Sequence, residues 1–553
     1  MKIAVGQINP TVGDLIGNSQ KILKFCELAH EERAELIIFP ELSLPGYPPK
    51  DLLLRKDFLY GQLKALDQVA KHSPLPTLLG AAIIEQEDRA PFNAAILCSD
   101  GKWEVVARKL LLPNYNVFDE KRYFSVPTAN ACSVLTFKGK KFLVSICEDA
   151  WANELVEGQK KYDIDPIASG VTKHGPVDAI INMMASPYTM SKPRIRQRIF
   201  TEHAKRHQTA VIVAGQVGAN DQLLFDGQSM VIDQFGAVKA LAQPCAEDIF
   251  FYHLNGPLID ASLNKPLADD DLLLEMLTVG IRDYVEKCQR PGVIVGVSGG
   301  IDSAVCLALA VRALGKHRVR AVFLPSQFTS EQSLIDAKLL TDNLSLKLQV
   351  IPIEEAVCKL RGLLAPDVNQ SNSELADIFD QNLQSRIRGL MVMGLTNTCD
   401  YLMIATSNKS ELAVGYSTIY GDMCGAFSAI GDLYKTKVWQ LADTINKQQP
   451  TIPYSIINRP PTAELKHNQL DTDTLPDFHI LDRILFNFIE LEKSAQEIET
   501  ITRLSRTLID DVIKKVSIAE YKRRQGPFCL MVSDKVFGEA RRLPIAKRMT
   551  ELQ

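Results

Sequence analysis

The chain has 553 residues, 62 Lys and Arg against 66 Asp and Glu, and a formal net charge of −4; this length exceeds one ordinary core, and the balance excludes a general nucleic-acid binder, which would be basic. Hydrophobic content of 46% and charged content of 23% suit a globular protein, and no apolar run reaches membrane-spanning length, "LLLEMLTVGI" (272–281) being interrupted by Glu275. The 11 cysteines are odd in number and include no C-x-x-C pair, a scatter that predicts reduced thiols in a cytoplasm rather than a disulfide framework or a zinc site.

The opening "MKIAVGQINP" reads as a first β-strand and not as a leader, because Gly6 and Gln7 break its short apolar run. Further strands are expected at "LIIFP", "TLLGAAII", "NAAILC", "KFLVSIC", "DAIINMM", "AVIVAGQV" and "SMVIDQFG". Helix-period stretches such as "NSQKILKFCELAHEERA" lie between several of them, and this alternation predicts α/β layering with buried strands. The stretch "NGPLIDASLNKPLADDD" is rich in Asn, Asp and Pro and has no period. It predicts a first domain over 1–255, a linker over 256–271 and a second domain over 272–553. Beyond it, "VIVGVS", "VRAVFLPS", "LKLQVIPI" and "YLMIATS" alternate with amphipathic segments, the pattern of a doubly wound parallel sheet. The last third reads as mostly helical.

In the first domain three reactive residues follow strands. Glu41 comes after "LIIFP", Lys109 lies between a strand and a proline-bounded loop, and Cys147 ends "KFLVSIC" with Glu148 and Asp149 next to it. Singly these are a turn carboxylate, a surface lysine and a small core residue. Jointly they are what a thiol attacking an amide requires: a base for its proton and a cation for the developing oxyanion. The strings "FPELSLPGYPPKDLL", "RKLLLPNYNVFDEKRYF" and "ICEDAW" closely resemble the nitrilase (carbon–nitrogen hydrolase) superfamily, in particular the glutaminase branch found in glutamine-dependent NAD synthetases. The resemblance implies an α-β-β-α sandwich with Cys147 as nucleophile, Glu41 as general base and Lys109 as oxyanion stabiliser. It places Glu120 as an additional carboxylate beside the triad and gives Tyr115, Ser186 and Lys192 to the glutamine substrate. His203 and His207 would share a helix face, but Ala204 stands where a metalloprotease pair carries Glu, which argues against a metal role.

In the second domain "VIVGVSGGIDSAVCLALAVRAL" admits two readings. Gly296-Val297-Ser298-Gly299-Gly300 fits the G-x-S-x-G elbow of a serine hydrolase, and it also fits a glycine-rich phosphate loop at a helix N-terminus. An elbow needs a later His, and His317, His467 and His479 all lie in stretches unlike strand-end loops. The phosphate reading has two glycines for close backbone approach, two hydroxyl donors, Ser303 as expected N-cap, and Asp302 as a ligand for Mg²⁺. No Walker sequence is present.

The S-G-G-x-D-S string resembles the pyrophosphate loop of ATP pyrophosphatases, a Rossmann-like fold. "NLQSRIRGLMVMGLTN", "ATSNKSELAVGYSTIYGDMCGAFSAIGDLYKTKVWQLA", "RPPTAEL" and "EYKRRQGP" resemble the NAD synthetase family within it. The resemblance implies ATP held by Gly296, Val297, Ser298, Gly299, Gly300, Ile301, Asp302 and Ser303 with Thr406, Lys435 and Thr462. It implies Mg²⁺ at Asp302 and Glu411, and deamido-NAD at Asn382, Glu411 and Lys522. The small-molecule partners implied are ATP, deamido-NAD and glutamine or ammonia, in a homo-oligomer without nucleic acid or membrane. Ile419, Cys424, Ala426 and Ser407 depart from common family residues, and the dinucleotide contacts around Ile419 stay open. Two rival readings also stay open at this stage: a nucleotide-sensing module fused to an amidase, and an amidase with a scaffolding second half.

Overall fold

Alternation in the first strand sets the layering of the N-terminal unit. In β1 (Lys2–Gln7) Ile3 and Val5 enter one apolar cluster and Ala4 another, the period of a strand buried on both faces. The computed structural model describes residues 1–85, 89–129, 131–156, 158–254, 264–368, 373–467 and 469–547. It divides into two units, Met1–Ala268 and Asp269–Gln553.

Unit 1 continues with α1 (Leu15–Glu31), β2 (Leu36–Ile38), α2 (Lys56–His72), β3 (Thr77–Ile83), β4 (Phe92–Ser99), β5 (Lys102–Arg108), β6 (Ser133–Phe137) and β7 (Lys140–Ile146). A small ribbon of β8 (Leu155–Val156) and β9 (Gln159–Lys160) precedes α3 (Pro166–His174), β10 (Ala179–Met184), α4 (Lys192–His207) and β11 (Ala210–Gly215). The hairpin of β12 (Val217–Asn220) and β13 (Leu223–Asp226) leads to β14 (Met230–Ile232), β15 (Val238–Leu241) and β16 (Asp248–His253).

These strands form two six-stranded sheets, ordered β16-β1-β2-β3-β4-β5 and β15-β14-β11-β10-β7-β6. Their facing sides share one core, built from Ile3, Val5, Leu36 and Ile38 on the first and Phe142, Val144, Ile181 and Ile212 on the second. Outside the first sheet, Ile22, Phe25, Cys26 and Ala29 of α1 pack at helical spacing with Leu66 and Val69 of α2 against Ala4, Ile37 and Phe39. Asp14 caps α1, accepting from the Gly17 N–H at 2.8 Å. α3 and α4 pack on the second sheet, completing the expected α-β-β-α sandwich. Of the strands that periodicity missed, β6, β15 and β16 are edges of the two large sheets, while β8, β9 and β13 belong to short two-stranded ribbons. Half-exposed edges carry a weak burial pattern; β16 has one buried residue, Phe250.

Residues 256–263 of the expected linker lie outside the described residues, and Asp269–Asp271, its last three, open the first helix of unit 2. Unit 2 runs α5 (Asp269–Lys287), β17 (Val293–Val297), α6 (Ile301–Leu314), β18 (Val319–Phe323), α7 (Glu331–Asn343), β19 (Leu348–Val350), α8 (Glu354–Val368), α9 (Ser373–Cys399), β20 (Leu402–Ala405), α10 (Lys409–Val414) and β21 (Phe427–Ser428). Then follow α11 (Lys435–Gln448), α12 (Tyr454–Asn458), α13 (Phe478–Ile489), α14 (Ala495–Thr502), α15 (Arg506–Ile518) and α16 (Glu520–Arg523).

All pairings in the five-stranded sheet, β19-β18-β17-β20-β21, are parallel. α9 covers one face through Leu383, Ile387 and Val392, against Ile294, Val322 and Met403, while α6 packs on β17 and β18 with α5 and α11 against it. The strand order reverses between β17 and β20, the switch point where open α/β sheets bind ligands beyond the strand ends. α13, α14 and α15 form their own core with Ala413 and Val414 of α10.

The chain returns to the sheet near its end, where the Ser428 N–H donates to Phe528 O at 2.8 Å and the Leu530 N–H to Ser428 O at 3.1 Å. Beside that junction Lys409 is fully buried, its Nζ donating to Asp432 Oδ1 at 2.8 Å, Ser533 Oγ at 2.6 Å, Glu490 Oε1 at 2.5 Å and Lys535 O at 3.1 Å. No helix of the described residues is long and apolar enough to cross a membrane.

Candidate active sites

Glu41, Lys109 and Cys147 each stand just past a strand, in the loop after β2, at the end of β5 and at the end of β7. The Glu41 turn presses on β3 at Gly80, where an added Cβ would meet Leu42 N at 2.2 Å and the Glu41 carbonyl carbon at 2.7 Å. Only glycine leaves room for that turn. Lys109 is 1% exposed, and its Nζ donates to Glu41 Oε1 and Glu120 Oε1, both at 2.7 Å. Glu41 Oε1 also accepts from Asn93 Nδ2 at 2.7 Å, its Oε2 accepts from the Ala185 N–H at 3.0 Å, and the Tyr47 hydroxyl donates to Glu120 Oε1 at 2.9 Å. The structure therefore brings the expected cation and both expected carboxylates into direct contact.

Electrostatics follow from this burial. Desolvation alone would lower the Lys109 ammonium, yet Glu120 and Glu41 hold it well above the usual lysine range. Burial lifts Glu120 to about 7, with Lys109 pulling the other way. Burial, and next the Glu41 charge, push the Cys147 thiol well above the usual cysteine range while Lys109 opposes them. The resting sulfur is thus a neutral thiol that needs a base. Cys147 has φ +43°, a left-handed conformation that side chains with a Cβ rarely adopt and that functional sites concentrate.

The flank of this centre is polar. Glu148 Oε1 accepts from both Tyr115 and Tyr162 hydroxyls at 2.8 Å, and the Lys192 ammonium lies over the Trp151 ring at 4.1 Å. Ser186 is buried and directly follows Ala185. Tyr47, Asn93 and Tyr162 carried no sequence signal, because they reach the site from separate strands and loops. Of the two histidines, His203 is spent on structure, its Nε2 lying 2.8 Å from Ala150 O and its ring stacking on His207.

In unit 2 the glycine-rich loop joins β17 to α6. Ser303 is not the N-cap expected from sequence: α6 starts at Ile301 with Gly300 as cap, so Ser303 occupies the third helical position. The extended Gly300 backbone allows the helix to start earlier, and the Ser303 hydroxyl instead ties the loop together. It donates to Gly300 O at 3.0 Å and accepts from the Ser298 N–H at 3.1 Å. Ser298 Oγ lies 3.1 Å from Ser303 Oγ and accepts from the Gly300 N–H at 3.2 Å. The later histidines are engaged elsewhere: His467 packs edge-on to Phe328, His479 stacks on Trp439, and His317 precedes β18 at the opposite end of the parallel sheet from Ser298. Ser298 Oγ is spent within its own loop, on Ser303 Oγ and the Gly300 N–H, which counts against the elbow reading.

Gly299 has φ +81°, and a Cβ there would meet Ser333 O at 2.6 Å. A Cβ on Gly296 would meet nothing within 4 Å, because it would point into a cavity of about 480 Å³ that every residue expected at the ATP and dinucleotide sites lines. Lys435, 2% exposed, lies at its base and donates to Asp302 Oδ2 and, at 3.3 Å, to Glu411 Oε1. Asn408 Nδ2 donates to the other oxygen of Asp302 at 3.0 Å. Burial lifts Glu411 to about 8 against the pull of Lys435, so a further cation would find an under-neutralised pair of hard oxygen ligands. That donor set fits Mg²⁺. Across the cavity Asn382 Oδ1 accepts from Thr418 Oγ1 at 2.8 Å, and Lys522 Nζ donates to Gly415 O and Ser417 O, both at 2.7 Å. Both thus grip the segment between α10 and β21. Thr462 stands on another segment, where its hydroxyl donates to Gln469 O.

A carbon–nitrogen hydrolase family model matches residues 2–261 and an NAD synthase model matches residues 273–526. A glutamine-dependent NAD(+) synthetase of Synechocystis sp. is 38% identical over 99% of this chain and 98% of its own length. That of Acinetobacter baylyi is 37% identical over 98% of both. The chain belongs to the glutamine-dependent NAD(+) synthetase family. A solved member, the Acinetobacter baumannii synthetase in complex with adenosine diphosphate, superposes with a TM-score of 0.76 at 35% identity over 98% of each chain. A Cytophaga hutchinsonii synthetase shares the fold, with a TM-score of 0.82 at 19% identity, over 99% of this chain and 98% of its own. Family membership places a buried thiol centre and a glycine-rich loop in one type of enzyme.

Proposed function

We propose that this chain performs the final step of NAD biosynthesis, the ATP-dependent amidation of deamido-NAD with nitrogen from glutamine. The observation that carries the reading is the Lys109 ammonium bound between Glu41 and Glu120 beside Cys147 in one unit, while the other folds an S-G-G-x-D-S loop around its cavity.

In unit 1 Glu41 takes the Cys147 proton as sulfur attacks the glutamine side-chain carbonyl, and Lys109 faces the oxyanion. The tetrahedral adduct collapses to a thioester as Glu41 returns the proton to the departing ammonia. Water then hydrolyses the thioester to glutamate. Tyr115, Ser186 and Lys192 hold glutamine. In unit 2 Ser298, Ser303 and the loop amides, with Thr406, Lys435 and Thr462, bind ATP, while Asn382, Glu411 and Lys522 hold deamido-NAD. The nicotinate carboxylate attacks the α-phosphorus, pyrophosphate leaves, and ammonia displaces AMP from the adenylate to give NAD. Asp302 and Glu411 would hold Mg²⁺, which supplies positive charge against that developing on pyrophosphate. All 11 cysteines are free thiols, supporting a cytoplasmic setting. Leu363, Leu375 and Leu390, each more than half exposed on α8 and α9, support a homo-oligomer, which light scattering would measure.

Incubating the full chain with ATP, Mg²⁺, deamido-NAD and glutamine should yield NAD, AMP, pyrophosphate and glutamate together. Glutamate without AMP would overturn the reading in favour of an amidase.

Two expected results arise here. Glutamine hydrolysis should fall as pH drops through about 7, because burial raises Glu120 to that value and its ionised form exists only above it. Once Glu120 is protonated, the Lys109 ammonium is left to Glu41 alone, and Glu41 becomes the weaker base for the Cys147 proton. The same shift costs the folded state stability as pH rises from the ordinary 4.5 to about 7. A rate flat from pH 8 to 6 would contradict the assignment.

The second concerns two glycines. Gly299→Ala should cost about 1–3 kcal/mol of unit 2 stability through strain at its φ of +81° and the clash with Ser333. Gly296→Ala should leave the melting temperature unchanged and raise KM for ATP, because its methyl group occupies only cavity space. Calorimetry and an AMP-release assay on each variant separate the two.

A further inference from the structure

The ammonium and the sulfur of the thiol centre come from different sheets. Lys109 ends β5 of the first sheet and Cys147 follows β7 of the second, so no strand ladder fixes ammonium against sulfur. A buried carboxylate next to the nucleophile spans the gap. Asp149, 1% exposed, accepts at Oδ1 from the Leu110 and Leu111 N–H groups, both at 2.9 Å, and at Oδ2 from the Ile146 N–H at 3.0 Å. Leu110 directly follows Lys109 and Ile146 directly precedes Cys147.

We propose that Asp149 is a positioning residue of the glutaminase centre, holding the chain segments that carry Lys109 and Cys147 in one register; the proposal rests on the glutaminase reading above. The carboxylate offers acceptors at both oxygens to three backbone donors; burial lifts Asp149 to about 7, and the Ile146, Leu111 and Leu110 N–H groups pull the other way. In Asp149→Asn the amide NH₂ would face one of these N–H groups, donor to donor, and that side of the clamp would open. Glu41 bridges the sheets in the same way, from Asn93 on β4 to Ala185 after β10, but Glu41 also hydrogen-bonds the ammonium, whereas the Asp149 hydrogen bonds go to backbone N–H groups. Its effect should therefore appear in turnover and not in glutamine affinity.

The test measures kcat and KM for glutamine hydrolysis by the full-length Asp149→Asn enzyme, per active site counted at the end-point of Cys147 labelling by a diazoketone analogue of glutamine. The expected result is a per-site kcat lowered roughly a hundredfold, the scale of a misplacement of about 1 Å. KM for glutamine and NAD synthesis from added ammonium should be unchanged. Fewer labelled sites with a normal per-site kcat would overturn the proposal by showing a folding role alone. If the Asn variant yields no labelled sites, Asp149→Glu decides, since it keeps the carboxylate and displaces it by one methylene. A reduced per-site kcat with normal KM upholds the proposal, and a normal kcat overturns it. Absence of glutamine hydrolysis by the unsubstituted chain would instead refute the glutaminase reading.

Discussion

Cys147→Ala should lose glutamine-driven NAD synthesis by roughly 10⁴-fold or more, the scale on which covalent catalysis fails without its nucleophile. Synthesis from added ammonium salt should persist. The substitution removes one sulfur from a buried position and leaves the Lys109–Glu41–Glu120 contacts in place, so the centre stays charge-balanced and the unit folded. Unit 2 holds its own cavity and its own core, and none of its polar groups depends on the thiol. Two assays on one preparation, glutamate release and NAD formation from ammonium chloride, check this. Loss of both activities in a folded variant would contradict a division of labour between two centres.

Lys435→Met should abolish the other half-reaction, with AMP and pyrophosphate release falling on the order of 10³-fold while glutamine hydrolysis remains measurable. Lys435 is the cation between Asp302 and Glu411. Without it Asp302 loses the buried cation that holds it beside Glu411, and the place proposed for it at ATP is lost. Removing one partner of a buried ion cluster costs about 3–5 kcal/mol, here reduced because Glu411, already lifted to about 8, can take up a proton. Unit 2 should therefore melt lower but still fold. Near-normal AMP release by a variant lacking this ammonium would remove Lys435 from the ATP site.

Strand ends were the legible part of this sequence. Buried strands such as "TLLGAAII" and "AVIVAGQV" announce themselves as apolar runs, and Glu41, Lys109, Cys147 and Ser298 could be placed at strand ends before any coordinates; the expectation of a single sheet for the first three fails, because Cys147 follows a strand of the second sheet. What sequence hid is what tertiary contact decides. Lys409 in "TSNKSE" reads as a surface charge, yet it is fully buried on four acceptors drawn from distant segments. Asp149 lies two residues after Cys147 in "ICEDAW", but its partners Leu110 and Leu111 lie just past β5 of the other sheet. Ser303 looked like a cap because serine favours that position; the extended backbone at Gly300 starts the helix earlier and leaves the hydroxyl to the loop.

The buried Lys409 links two places that a chain-order view keeps apart. It stands on the short helix that also carries Glu411, and it is held by Ser533 and Lys535 near the end of the chain. Trimming or proteolytic nicking at the tail would strip acceptors from an interior charge and loosen the scaffold under a carboxylate of the nucleotide pocket. Damage more than a hundred residues away in sequence should thus register as weakened ATP handling while the amide-cleaving half continues to work.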